Sequence, residues 1–105
     1  MDTKAFMIVT CIVDPASMAD FKHYVGNAQP IFAKYGGNRL GQYAVQETKA
    51  GDSGFSHVVV MEFPNREAIN SVFDDPAYAG LIPARTRAFP KLDILIADAF
   101  APPQG

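Results

Sequence analysis

The stretch Val58–Arg85, VVVMEFPNREAINSVFDDPAYAGLIPAR, constrains the fold of this chain more than any other. Its apolar run, Val58–Met61, ends in Glu62-Phe63-Pro64, and a helix start, Asn65-Arg66-Glu67-Ala68, follows at once. Asn65 suits an N-cap because its side chain can accept from the free N–H groups of the first turn. Ala68, Ile69, Val72 and Phe73 then share an inward helical face. Asp75-Pro76 breaks the helix and caps it again, since the residue before a proline is pushed out of the helical region. Tyr78, Leu81 and Ile82 continue the apolar side. Pro83 disturbs it a second time, and Arg85 and Arg87 stand at the far end, where cations suit the helix dipole.

The rest of the chain is punctuated in the same way. Ala5–Val13 (AFMIVTCIV) is apolar or β-branched without clean alternation, the pattern of a strand buried on both faces. Asp14-Pro15 starts a helix. Met18, Phe21, Val25, Ala28, Phe32 and Tyr35, at steps of three and four, form one stripe along it. Gln29-Pro30 predicts a kink or break, and Gly36-Gly37 the end. Arg39–Thr48 alternates as a strand, placing Arg39 and Tyr43 on one face. Lys49–Ser56 is a turn, His57–Phe63 a strand, and Leu92–Phe100 the last strand. The tail Ala101–Gly105 reads as a frayed end.

The order is β-α-β-β-α-β in one domain spanning residues 1–105, the split-βαβ or ferredoxin-like pattern of the α+β class. Right-handed crossovers put both helices on one face of a four-stranded antiparallel sheet. The other face would be bare, yet the first and last strands are apolar on both sides. A second copy packed sheet to sheet is the simplest cover, so a homodimer is expected.

Composition excludes several classes. Nine Lys and Arg against eleven Asp and Glu give a net charge of -2 without a basic cluster, so the electrostatic footprint of a nucleic-acid binder is missing. The one cysteine, Cys11, can build neither a disulfide framework nor a zinc motif, and a buried inert thiol is the plain reading. The apolar run Ala5–Val13 is too short to cross a membrane and no cleavage site follows it, so a cytoplasmic protein is expected. His23 and His57 lie far apart among scattered carboxylates and match no metal spacing. No phosphate loop or nucleophile elbow occurs, and no cofactor is expected.

Glu62-Phe63-Pro64-Asn65-Arg66-Glu67-Ala68, followed by Asp75-Pro76-Ala77-Tyr78 and Leu81-Ile82-Pro83-Ala84-Arg85, resembles the domain-of-unknown-function 1330 family. Asp14-Pro15 and Tyr35-Gly36-Gly37 also fit, so that the resemblance covers residues 5–98. It implies membership of the dimeric α/β-barrel superfamily. That superfamily's relatives include cofactor-free antibiotic-biosynthesis monooxygenases, muconolactone isomerases and haem-using barrel enzymes. The family often carries a Trp-Tyr pair where this chain has Val72-Phe73, and an Arg where it has His57. A pocket at the altered pair would be less polar.

Few residues are placed for chemistry. His57, at the start of a strand, is a candidate base. Glu62, at the end of an apolar strand, would move protons if burial raised its pKa, or would pair with an arginine. Arg85 can fork onto a carboxylate, or pair with Glu62 or Asp93. Tyr24, Tyr35, Phe73 and Tyr78, with Phe21, are candidates to line a pocket. His23 should point to solvent. The absence of a strong catalytic constellation makes a non-catalytic ligand-binding or accessory module the first reading. The second is a small cofactor-independent enzyme (isomerase, lyase or monooxygenase-like) acting on an aromatic or polyketide-like acid, with Arg85 as carboxylate anchor. A filled core favours the first, and a pocket of ~300 Å3 or more with converging polar groups the second.

Overall fold

The computed structural model describes residues 4–99. Four strands, β1 (Ala5–Ile12), β2 (Asn38–Ala44), β3 (His57–Phe63) and β4 (Lys91–Ala97), form one sheet in the order β2-β3-β1-β4, every neighbouring pair antiparallel. The helices are α1 (Met18–Lys34), α2 (Arg66–Asp74), α3 (Pro76–Ala79) and α4 (Ile82–Ala88). This is the α+β ferredoxin-like arrangement, with the second helix divided into three. Phe100 and the tail 101–105 lie outside the described residues.

The divisions follow the local chemistry. Asp14 accepts from the Ala16 N–H at 2.9 Å and opens a short 3-10 turn, Pro15–Ser17, ahead of α1. Asn65 Oδ1 accepts from the Ala68 N–H at 2.8 Å and starts α2. Asp75 ends α2 in extended conformation and accepts from the Ala77 N–H at 2.9 Å to start α3. After Lys34, Gly37 N–H donates to the Phe32 carbonyl and Gly36 N–H to that of Ala33, with Gly36 at φ 85°. That paired closure needs a left-handed residue, which Gly supplies without a Cβ penalty.

Three expectations are corrected. Helix α1 continues through Pro30 without a break. Pro30 lacks the N–H that would reach the carbonyl of Gly26, but both residues are exposed, so water can serve that carbonyl. Strand β2 ends at Ala44, earlier than alternation implied, and only the Val45 N–H to Ser56 carbonyl bond extends the pairing. An irregularity between Arg39 and Gly41 sets Arg39 opposite Met61 and Gln42 opposite Val59, while Tyr43 faces Val58. Directly opposed residues share a face, so Arg39 and Tyr43 lie on opposite sides of the sheet.

The helices cover the face carrying Ala5, Met7, Val9 and Cys11 of β1 and Val59, Met61 and Phe63 of β3. Tyr78, Phe63, Met7, Ile69 and Val72 are the largest side chains fully enclosed there. The opposite face carries Phe6, Ile8, Ile12, Val58, Val60 and Leu95, with Tyr43 lying over Gly41. Leu95 is 51% exposed and Tyr43 58%.

Candidate functional site

Between α1 and the sheet lies a cavity of about 440 Å3. Met7, Val9, Cys11, Val59 and Met61 form its floor, and Phe21, Tyr24, Val25, Ala28 and Phe32 its α1 wall. Phe89 and Ile94 help to close the side toward β4. Arg39, Gln42 and His57 also line it, and because all three are exposed they mark its mouth along β2 and the start of β3. The cavity explains a shift in the burial of α1. Its enclosed residues are Tyr24, Ala28 and Ile31, whereas Phe21, Val25 and Phe32 of the expected stripe, which also line the cavity, are only half-buried.

At the mouth, the His57 Nδ1 lies 2.8 Å from Ser56 Oγ, which also accepts from the Val13 N–H at 3.3 Å and stands 3.3 Å from the Cys11 carbonyl. Ser56 has one hydroxyl hydrogen: directed at the Cys11 carbonyl, it leaves His57 Nδ1 to donate to Ser56 Oγ and Nε2 free to accept a proton, and directed at Nδ1 it leaves the neutral ring's proton on Nε2. Cys11 is opposite His57 in the ladder, and burial pushes its thiol pKa up, so it is a poor nucleophile. Arg39 Nη1 donates to Gln42 Oε1 at 3.3 Å on the cavity side of β2. The bulge that turns Arg39 inward falls at Gly41, and a glycine inside a strand is a usual mark of one, although alternation alone does not record it. Ser56 was also missed, although its place next to His57 was a usable signal.

From Tyr24 on the α1 wall a polar chain runs through the core to the half-buried Arg85. The Tyr24 and Tyr78 hydroxyls are 2.7 Å apart, and Arg85 Nη1 donates to the Tyr78 hydroxyl at 3.1 Å while the guanidinium lies over the Tyr78 ring. Burial is the main cause that holds the Tyr24 phenol well above its ordinary pKa, and the adjacent Tyr78 adds to it. Tyr24 therefore stays protonated at any physiological pH. Phe73 packs edge-on to Tyr78 with ring centroids 4.9 Å apart.

Of the residues singled out in the sequence, the cavity lining contains Tyr24, Phe21 and His57. Tyr78, Arg85 and Phe73 lie behind that wall, linked to it through the Tyr24 hydroxyl. Tyr35 is elsewhere: its hydroxyl donates to Asp75 Oδ2 at 2.8 Å, beside the Lys34 ammonium. Glu62 pairs with Asn38 in the ladder and points from the opposite face of the sheet, where Lys4 Nζ lies 3.3 Å away. His23 is exposed on α1 next to Asn27.

The family model for the domain of unknown function DUF1330 matches residues 4–100. The chain belongs to that family. No curated protein matches the chain in sequence. Among solved structures, the RPA0582 protein of unknown function from Rhodopseudomonas palustris is 19% identical, with a TM-score of 0.82 over 97% of this chain and 86% of that one. The hydroxynitrile lyase from Passiflora edulis is 14% identical, with a TM-score of 0.73 over 99% of this chain and all (100%) of that one. A dimeric protein of unknown function with a ferredoxin-like fold, from Bacteroides fragilis, is 8% identical, with a TM-score of 0.62 over 91% and 96% of the two chains. At these identities the likeness is one of fold. Among the described residues no helix is long and apolar enough to cross a membrane.

Proposed function

We propose that this DUF1330 protein binds a small, mostly apolar organic molecule in the cavity between α1 and the sheet, and works as a homodimer joined through its open sheet faces. The cavity carries the reading: at about 440 Å3 it falls in the size range of ligand sites, and apolar walls with a few polar groups are the usual composition of such sites. A ligand's acidic group, if present, would meet Arg39 at the mouth, because Arg85 is engaged with Tyr78. The dimer is supported by the apolar row on the open face, which a two-fold copy would cover, and by the dimeric state of the Bacteroides fragilis relative in fold. The unpaired thiol of Cys11 suits a reducing compartment such as the cytoplasm.

The test is a thermal-shift screen of small apolar compounds against the wild type and Val59→Phe, which places a ring in the cavity. Compounds that raise Tm in the wild type should lose that effect in the variant, while its far-UV circular dichroism stays unchanged. Equal shifts in both proteins would remove the cavity as the binding site.

Two observations favour a catalytic version of this reading. The cavity exceeds the ~300 Å3 that separates it from a filled core, with Arg39, Gln42 and His57 at its mouth. His57 lines the mouth with Ser56 on its Nδ1, an arrangement that leaves Nε2 free to exchange a proton with a bound molecule. Glu62 faces away from the cavity, so His57 would act without a carboxylate partner from that strand. His57→Gln should then abolish turnover of any substrate found by the screen and leave its binding within a few-fold.

A further inference from the structure

In the polar chain Arg85, Tyr78, Tyr24, one hydrogen has no protein acceptor among the described residues. Three donors enter the chain: the Arg85 Nη1–H, the Tyr78 O–H and the Tyr24 O–H. The protein supplies only two bonds for them, Arg85 to Tyr78 at 3.1 Å and the 2.7 Å contact between the two hydroxyls. Among the described residues, neither hydroxyl makes a further hydrogen bond. A guanidinium can only donate, so the Tyr78 oxygen is an acceptor in the first bond.

The direction of the second bond decides where the surplus hydrogen stands. If Tyr24 donated to Tyr78, the Tyr78 O–H would be left without a partner in the closed core, where Tyr78 is 1% exposed and packed against Phe73 and Phe32. A buried donor without a partner is costly. If Tyr78 donates to Tyr24, the surplus hydrogen belongs to Tyr24, the one member of the chain that lines the cavity. This direction also lets each bond strengthen the next, running from the positive guanidinium toward the cavity.

We propose that the Tyr24 hydroxyl is the hydrogen-bond donor of the ligand site and that Arg85, acting through Tyr78, is the residue that aims it, so that the ligand class is an apolar molecule bearing a ketone, ester or lactone oxygen. This deepens the reading of the cavity as a ligand site and rests on it. A neutral carbonyl matches the site because the donor is a phenol that keeps its proton, and the cationic charge behind it stays covered by two tyrosines. Tyr24 would touch the ligand, whereas Tyr78 and Arg85 would position it.

The experiment uses a matched pair of probes, benzophenone and diphenylmethane, which differ in the carbonyl. Affinities for the wild type, Tyr24→Phe and Arg85→Met are measured by titration calorimetry, and the benzophenone carbonyl stretch by infrared spectroscopy. The wild type should prefer benzophenone about three- to tenfold, the usual yield of one neutral hydrogen bond. The bound carbonyl stretch should fall below its value in an apolar solvent. Tyr24→Phe should equalise the two affinities, leave diphenylmethane binding unchanged and return the stretch to its apolar position. Arg85→Met, which frees the Tyr78 oxygen to accept from Tyr24, should shrink both effects, and a purely structural role for Arg85 would not move the stretch. Equal binding of the two probes to the wild type, or a preference that survives Tyr24→Phe, overturns the proposal while leaving the cavity as a ligand site. Failure of both probes to enter the cavity overturns the site and the donor together.

Discussion

Val59→Ile adds one methylene to a side chain on the floor of the cavity, and the sign of its effect on stability distinguishes an open cavity from a packed core. Val59 is half-buried, stands opposite Val9 and Gln42, and faces the space under α1. An added methylene there meets free volume and leaves water, a gain of about 0.8 kcal/mol. For a domain of this size that corresponds to a rise in Tm of about 3–6 °C. The control is Val72→Ile. Val72 is 0% exposed and does not line the cavity, so the same methylene must displace packed neighbours at a cost of about 1–3 kcal/mol. Both variants should be measured by calorimetry and urea unfolding at one protein concentration, since the stability of a dimer depends on it. Opposite signs are expected. If Val59→Ile destabilises as much as Val72→Ile, the space under α1 is closed in solution and the functional reading loses its basis.

Three further outcomes follow from the geometry. Leu95→Glu places a carboxylate opposite Ile8 on the open sheet face. It should convert the proposed dimer to monomer in sedimentation experiments without loss of helix signal, and a dimer that persists would move the interface elsewhere. Gly36→Ala forces a left-handed φ on a residue whose new Cβ would approach Pro64 to 2.9 Å, and should lower stability by about 1–2 kcal/mol in urea unfolding. Asp75 is held below the usual carboxylate pKa, first by the Ala77 N–H and then by the Tyr35 hydroxyl and Lys34 ammonium. Its folded pKa is thus below the unfolded one, so its contribution is full above the unfolded value and is lost as pH falls through the folded value. Asp75→Asn should flatten the dependence of stability on pH in that acidic window, and an unchanged slope would contradict the assignment.

Much of this architecture is legible in the sequence because its punctuation is local. Asp14, Asn65, Asp75 and Gly36 act on backbone groups within a few residues, and each does what its residue type suggests. The site is less legible because it depends on distance and on emptiness. The chain from Tyr24 to Tyr78 links positions 54 apart, and no local pattern records which aromatic residues meet. The stripe on α1 announces an apolar face, but periodicity cannot tell a face that meets packed atoms from one that borders a void. A single irregularity near Leu40 reverses the side to which Arg39 points, and with it the charge at the mouth. Glu62 and His57 share a strand and alternation alone sets them on opposite faces, but only the pairing and packing show which of the two lies under the helices.

The space beneath α1 is proposed to hold a small apolar ligand. A crystal structure of the protein soaked with benzophenone tests it most directly. Density for the probe should appear among Met7, Val9, Val59 and Phe89, with the carbonyl oxygen within hydrogen-bond distance of the Tyr24 hydroxyl. Density only on the outer surface, or a cavity filled by shifted side chains, would contradict it.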